Sequence, residues 1–158
     1  MPNIDLAAKI EVDSTKINQL FHDLRMTSPE ATKAVRQALR KSIVVLRSGI
    51  RNAAATVTSN RQKQRLVNVS VYKNAKGAQV NILYGNYITD GRGKQRYFTL
   101  RWLDKGTKGC IGKNGRRHGA TPAKPFFNSA SQTYLPQAER ILSDNIIKYI
   151  NLVVQKRK

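Results

Sequence analysis

The longest periodic pattern in the chain predicts a helix of about seven turns that begins at Ser28. Ser28 suits the N-cap, Pro29 the first helical position, and Glu30 the first turn, where negative charge is favourable. Large apolar residues then recur at steps of three and four, which places them on one face of the helix. These residues are Val35, Leu39, Ile43, Leu46 and Ile50. The pattern therefore predicts an amphipathic helix with one side packed against a core.

Arginines form a second row on the same predicted helix. The row consists of Arg36, Arg40, Arg47 and Arg51. Each follows a core residue by one position, which turns the row about 100° away from the core face. Two interpretations stay open. The row is a solvated flank whose aliphatic stems cover the core edge, or it is a binding surface for phosphates or for acidic residues of a neighbouring subunit.

After residue 59 apolar and polar residues alternate, which predicts strands. Residues 67–71 form one predicted strand and residues 79–82 a second, with the turn-forming segment KNAKGA between them. The segment RYFTLRWLDKGT, residues 96–107, is rich in aromatic and β-branched residues. It predicts a third strand that ends near Asp104, so that the sheet is antiparallel.

Shorter patterns flank these elements. KIEVD, residues 9–13, predicts a short strand, and STKINQLFHDLR, residues 14–25, predicts a short helix. The basic, turn-rich residues 84–96 predict a loop. Helical spacing of apolar residues from about Asn128 predicts a C-terminal helix, in which Pro136 either starts the main part or introduces a kink.

These elements define the predicted architecture. A chain of 158 residues is long enough for one domain with its own core, so we expect residues 1–158 to form a single domain. The predicted fold class is α+β, with an antiparallel sheet of three to four strands packed against the long helix in the N-terminal half and the C-terminal helix.

The charge of the chain is strongly positive and unevenly distributed. The formal net charge is +20, five of the nine acidic residues lie in the first 30 positions, and no Asp or Glu occurs between Ala31 and Thr89. Such a surface attracts nucleic acid, an anionic membrane or an acidic protein. Charge alone does not distinguish among these three partners.

The segment KGTKGCIGKNGRRHGATPAKPFF, residues 105–127, combines five glycines and six cations without an acid. It departs from the phosphate-binding loop G-x-x-x-x-G-K-[ST], because five residues separate Gly106 from Gly112 and Asn114 follows Lys113. Residues 105–124 are therefore predicted to be a mobile basic loop that contacts a partner or DNA. The candidate contact residues are Lys105, Lys108, Lys113, Arg116, Arg117 and Lys124. No aromatic residue lies among them, which disfavours a reader of single-stranded nucleic acid.

The residues that carry catalysis are scarce. Cys110 is the single cysteine, the two histidines are His22 and His118, and Asp90 and Asp104 are the only acids between Ala31 and Ala138. This composition predicts a protein that is not an enzyme and holds neither a cofactor nor a metal. The N-terminus lacks the basic and apolar regions of a signal peptide, and no long apolar run occurs, so we expect no secretion signal and no membrane span.

Two short motifs in the second half of the chain resemble those of a known family. The first is Trp102-Leu103-Asp104-Lys105-Gly106-Thr107, and the second is Ala123-Lys124-Pro125-Phe126-Phe127. Their order, between a β-hairpin and a final helix, resembles the small tail-component family of lambdoid and other long-tailed DNA phages, which are tail-completion or head-to-tail joining proteins. The resemblance covers about residues 28–155. The motif residues are Trp102, Asp104, Gly106, Thr107, Ala123, Pro125 and Phe126.

The resemblance implies a structural virion protein. Members of such families assemble as rings, so we expect a homo-oligomeric ring at the phage neck, between portal or connector proteins on one side and tail proteins on the other. It would surround the DNA channel, touch DNA non-specifically at most, and be assembled in the bacterial cytoplasm. The alternative is a free nucleic-acid-binding protein associated with the nucleoid or the ribosome, which the net charge alone favours.

Overall fold

The fold is built from five helices and seven strands in the part of the chain described by a computed structural model, namely residues 6–23, 27–59, 61–82, 86–89, 95–98, 100–111 and 114–155. In chain order the elements are β1 (Ala7–Glu11), α1 (Ser14–Asp23), α2 (Ser28–Val57), α3 (Arg61–Gln64), β2 (Val67–Val71), β3 (Gly77–Ile82), β4 (Asn86–Thr89), β5 (Gln95–Phe98), α4 (Arg101–Lys105), β6 (Cys110–Ile111), β7 (Arg117–His118) and α5 (Phe127–Gln155).

The long helix α2 forms as the apolar periodicity predicts, and Leu39, Leu46 and Ile50 on its stripe are fully buried. Its N-terminus is stabilised one residue earlier than expected. The N-cap is Thr27, whose backbone N–H and hydroxyl donate to a Glu30 carboxylate oxygen at 3.1 and 2.8 Å. The prediction that Ser28 caps the helix is therefore wrong, because Ser28 is already the first helical residue.

A three-stranded antiparallel sheet, in the order β1-β3-β2, forms the second layer. Its register aligns Ala8 and Val69 with Val80 of the central strand, and Ile10 with Ala78. Alternate residues of a strand face opposite sides of a sheet, so this register gathers the apolar residues on one face. The predicted hairpin of β2 and β3 is confirmed, and the predicted N-terminal strand is confirmed as β1.

Both long helices cover the apolar face of the sheet. Helix α2 packs against β2 and β3, while α5 packs against α2 and contacts β1. At the helix crossing the Tyr134 ring of α5 lies directly on the backbone of Gly49 in α2. The fold is therefore α+β, as predicted, and its core lies between two long helices and one sheet.

The predicted third strand over residues 96–107 is wrong. Its first part forms β5, which pairs with β4 in the segment predicted to be a loop, and its second part forms the short helix α4. The N–H groups of Leu103 and Asp104 both donate to the Leu100 carbonyl, at 3.1 and 3.3 Å. Leu100 and Asp104 are both buried, so burial four residues apart selects a helical turn here instead of an extended strand.

Helix α5 is continuous across Pro136, which lies inside it. Proline has no N–H to bond the carbonyl of residue 132, yet neighbouring residues keep the helix in register by packing, with Ala138 and Leu142 buried. No helix in the described residues is both long and apolar enough to cross a membrane.

The contact between Gly49 and Tyr134 gives a test of the helix packing. We expect Gly49→Ala to lower the free energy of unfolding by about 1–3 kcal/mol, because the added methyl would overlap the ring of Tyr134. This range is the net loss, because the cost of the overlap must outweigh a gain of about 1 kcal/mol in helix propensity. Chemical denaturation measures the difference. Gly119→Ala is the control, because no atom lies within 4 Å of the methyl that it would add.

Candidate functional site: a clamped basic hairpin

The carboxylate of Asp104 joins the two sequence motifs. Its side chain is 2% exposed, and its Oδ1 accepts hydrogen bonds from the backbone N–H groups of Phe126 and Phe127, both at 2.9 Å. These N–H groups stand at the start of α5, where a helix has no internal acceptors and where negative charge is favourable. The other carboxylate oxygen lies 3.7 Å from the ammonium group of Lys105. Asp104 therefore caps a helix that begins more than 20 residues further along the chain.

Backbone hydrogen bonds close the same junction. Lys124 donates to the carbonyl of Leu103 at 2.7 Å, and Thr107 and Thr121 exchange a pair of bonds at 2.8 and 3.2 Å. The hydroxyl of Thr107 also accepts from the Thr121 N–H at 3.1 Å. We call this set of contacts, together with those of Asp104, the clamp. It brings the two ends of the basic segment side by side.

Gly106 is needed for the close approach of the two chain ends. Its φ is +72°, a conformation that residues with a side chain rarely adopt. A Cβ atom there would lie 2.8 Å from the Ala123 nitrogen and 2.9 Å from the Thr121 carbonyl oxygen. A side chain at Gly106 would thus push the clamp apart.

The remaining motif residues divide into buried anchors and exposed positions. Phe126 and Phe127 are 5% and 2% exposed and fix the clamp to the core. Pro125 is exposed immediately before them, and Trp102 on α4 is 55% exposed. The structure therefore brings most of the motif residues to one junction, while the side chain of Trp102 is directed largely to solvent.

The segment between the clamped ends is a hairpin. Strands β6 and β7 pair in the register Cys110 with His118 and Ile111 with Arg117. In the connecting turn, Gly115 has φ +72° and the Arg116 N–H donates to the Asn114 side chain at 3.3 Å. The segment predicted to be a mobile basic loop thus contains a short two-stranded pairing beyond the clamp.

The hairpin and the clamp that supports it expose five of the six predicted contact residues. The exposed cations are Lys105, Lys108, Arg116, Arg117 and Lys124. Lys113 lies outside the described residues. Ile111 adds an apolar side chain that is 69% exposed. Apart from Asp104, no acid lies near them in sequence, so the hairpin presents positive charge and one apolar side chain to a partner.

A second cationic surface is the arginine row of α2, defined by Arg36, Arg40, Arg47 and Arg51. The Nε atoms of three of them, Arg36, Arg47 and Arg51, are buried without a hydrogen-bond partner. Burial lowers the pKa of Arg51 from its usual value, and the positive charges of Arg47 and Arg65 lower it further. Arg65, which follows α3, thus lies near the row. The periodicity of α2 could not indicate Arg65, because this residue lies outside α2, directly after α3.

The described residues contain no group of three or more His, Cys, Asp or Glu side chains that would hold a metal ion. His22 lies 3.9 Å from Asp23 in an exposed pair at the end of α1. The contacts of the clamp are suited to holding the basic hairpin in place at the start of α5.

Comparison of the chain with known protein families, with curated proteins and with solved structures finds no match. The clamp and the two cationic surfaces are therefore interpreted from their own geometry, together with the sequence resemblance.

The clamp gives a test by substitution of its central carboxylate. We expect Asp104→Ala to lower the free energy of unfolding by about 3 kcal/mol, because two buried N–H groups lose their acceptor. Asp104→Asn is the matched variant and should cost less, because the amide oxygen still accepts. Urea denaturation compares the two, and equal stability of Asp104→Ala and wild type would contradict the capping role.

The arginine row gives a test in which a substitution is expected to stabilise the fold. A lowered pKa means that the folded state disfavours the charged guanidinium relative to the unfolded chain, so removing the charge should stabilise the fold at neutral pH. We expect Arg51→Met to raise Tm at low salt, with a gain that shrinks as salt screens Arg47 and Arg65. Lys41→Met, at an exposed position of α2, is the control and should change Tm less. A lower Tm for Arg51→Met at low salt would show that the guanidinium stabilises the fold.

Proposed function

We propose that this chain is a structural subunit of a ring at the neck of a long-tailed phage, where it completes or joins the tail to the portal side around the DNA channel. The observation that carries the proposal is the clamp. The two motifs that resemble the tail-component family meet through Asp104 and the start of α5, and together they support the basic hairpin. A supported, exposed hairpin suits a contact that is repeated in every subunit.

The hairpin favours a protein partner over a nucleic acid. The exposed Ile111 pairs with Arg117 across the hairpin, and a mixed apolar and charged surface is typical of protein interfaces. Aromatic side chains for stacking on bases are missing from the sequence between Lys105 and Lys124. We infer that residues 105–124 dock onto an acidic surface of an adjoining portal or tail protein.

A ring requires two different complementary patches on each subunit. In the described part of the chain, β1 and β2 each pair with β3 on one side only, so neither outer edge carries a further strand there. The hairpin and one such edge lie on separate elements. They are the two patches that we expect neighbouring subunits to use.

The charge on the hairpin can be tested in particle assembly. We expect Arg116→Gln with Arg117→Gln to reduce incorporation of the chain into particles at least about tenfold, which is the effect of losing roughly 1.4 kcal/mol of interface energy. Incorporation is measured by quantitative mass spectrometry of purified particles. The matched control is Lys41→Gln with Lys148→Gln, which removes two exposed charges from helices. Equal incorporation of both variants and wild type would argue against docking through the hairpin.

The location of the chain tests the neck proposal itself. Electron cryomicroscopy of purified particles should show the chain as a ring at the junction of capsid and tail, with residues 105–124 ordered against a neighbour. If the chain is absent from particles and binds DNA or RNA in a salt-sensitive manner instead, the alternative of a free nucleic-acid-binding protein is favoured. The arginine row is the observation that supports this second candidate.

A further inference from the structure

The arginine row forms no ion pair within the described residues, although α5, which packs against α2, carries Glu139 and Asp144. Neither α2 after Ala31, nor α3, nor the hairpin of β2 and β3 contains an acid, because the sequence has none from Ala31 to Thr89. No ion pair to the row occurs in the described part of the chain. The row spans 15 residues of helix, or about 22 Å. Among the described residues, this line of guanidinium groups therefore lacks a close ion-pair partner.

The arginines are also held in an unusual state for surface residues. Burial of three Nε atoms removes them from water without giving them an acceptor. An unsatisfied buried donor destabilises the fold, and the lowered pKa of Arg51 has the same origin in burial and like charge. An anion that approaches the outer ends of these side chains would reduce the repulsion that Arg51 experiences from Arg47 and Arg65.

We propose that the arginine row of α2, together with Arg65, binds the phosphodiester backbone of a nucleic-acid duplex. Phosphate accepts two parallel hydrogen bonds from the guanidinium fork, and all members of the site are Arg although Lys is common elsewhere in the chain. Over about 22 Å of its axis a duplex presents about 13 phosphates. Because phosphates recur at short intervals along both strands, the row needs no fixed register on a duplex, whereas an acidic protein would need carboxylates placed at matching positions.

The surroundings of the row favour backbone contacts over contacts with bases. The sequences of α2 and α3 contain no aromatic residue, so they provide no platform on which an unpaired base would stack. Val44 lies between Arg40 and Arg47 along the helix and is 51% exposed. It offers no hydrogen bond to a base edge. Binding at this site is therefore expected to be independent of sequence and to prefer duplex over single strand.

This inference does not depend on the neck proposal. A subunit of a ring around DNA and a free nucleic-acid-binding protein would both use such a surface. It assigns the phosphate contacts to α2 and Arg65 and leaves the basic hairpin for protein. If the chain does not localise at the neck, the duplex-binding proposal still stands. If the chain does not bind a duplex, the neck proposal still stands.

The test measures binding of the full chain to a fluorescein-labelled DNA duplex of about 20 base pairs, longer than the row itself, by anisotropy over a range of salt concentrations. We expect Arg47→Gln/Arg51→Gln/Arg65→Gln to weaken binding at least about tenfold and to reduce the salt slope by about 2–3 units, at 0.9 per phosphate contact. The matched control, Lys108→Gln/Arg116→Gln/Arg117→Gln, removes the same charge from the hairpin and should change the slope by less than about one unit.

A second triple variant guards against a folding defect. Arg47→Lys/Arg51→Lys/Arg65→Lys keeps the charge and removes the planar fork, so it should keep most of the salt slope and bind several-fold more weakly than wild type. Circular dichroism confirms that each variant is folded.

Four results would overturn the proposal. Equal loss in the row and hairpin variants would show attraction by overall charge only. Binding that is unchanged in the folded Gln variant of the row would exclude the site. Tighter binding of labelled poly-glutamate than of the duplex through the row, at the same salt, would show that the occupant is an acidic protein. Tighter binding of a single strand of the same sequence would show that it is an unpaired strand.

Discussion

The carboxylate of Asp104 accepts two hydrogen bonds from the first N–H groups of α5, and much of the second half of the fold depends on that contact. Burial of a carboxylate is unfavourable unless its oxygens accept hydrogen bonds, and here the unpaired N–H groups at the start of a helix donate them. The contact fixes where α5 begins, and it brings residues 103–107 beside residues 121–124. The hairpin and the core are thereby joined by this side chain together with the backbone hydrogen bonds of the clamp.

The two cationic surfaces differ in physical character. The hairpin cations are exposed, so water screens them, and each costs the fold little. Arg36, Arg47 and Arg51 of α2 are partly withdrawn from water, and their Nε atoms have no acceptor. The charge of Arg51 is disfavoured by burial and by its cationic neighbours, so an anion beside the row relieves a repulsion that the exposed hairpin cations do not experience to the same extent. This difference is the basis for assigning protein contacts to the one and phosphate contacts to the other.

Several elements were predictable because their signal is local. The stripe of α2, the alternation in β2 and β3 and the spacing in α5 each repeat within one element, and all three predictions are confirmed. The prediction of one strand over residues 96–107 is wrong because aromatic and β-branched content favours a strand locally. The burial of Leu100 and Asp104, four residues apart, favours a helical turn instead. The sheet obtains its third strand from β1 instead, and that choice rests on a pairing between residues about 70 positions apart.

The sequence by itself determined the net charge, the amphipathic faces, the absence of acids over the middle of the chain, and the candidate basic residues of the hairpin and of α2. Only the tertiary structure decided that Asp104 caps α5, that Thr107 pairs with Thr121, and that Arg65 adds its charge to Arg51. The physical reason is distance along the chain. Periodicity and propensity act between neighbours in sequence, whereas a cap, a clamp or a cluster of like charges exists only where packing brings remote segments together.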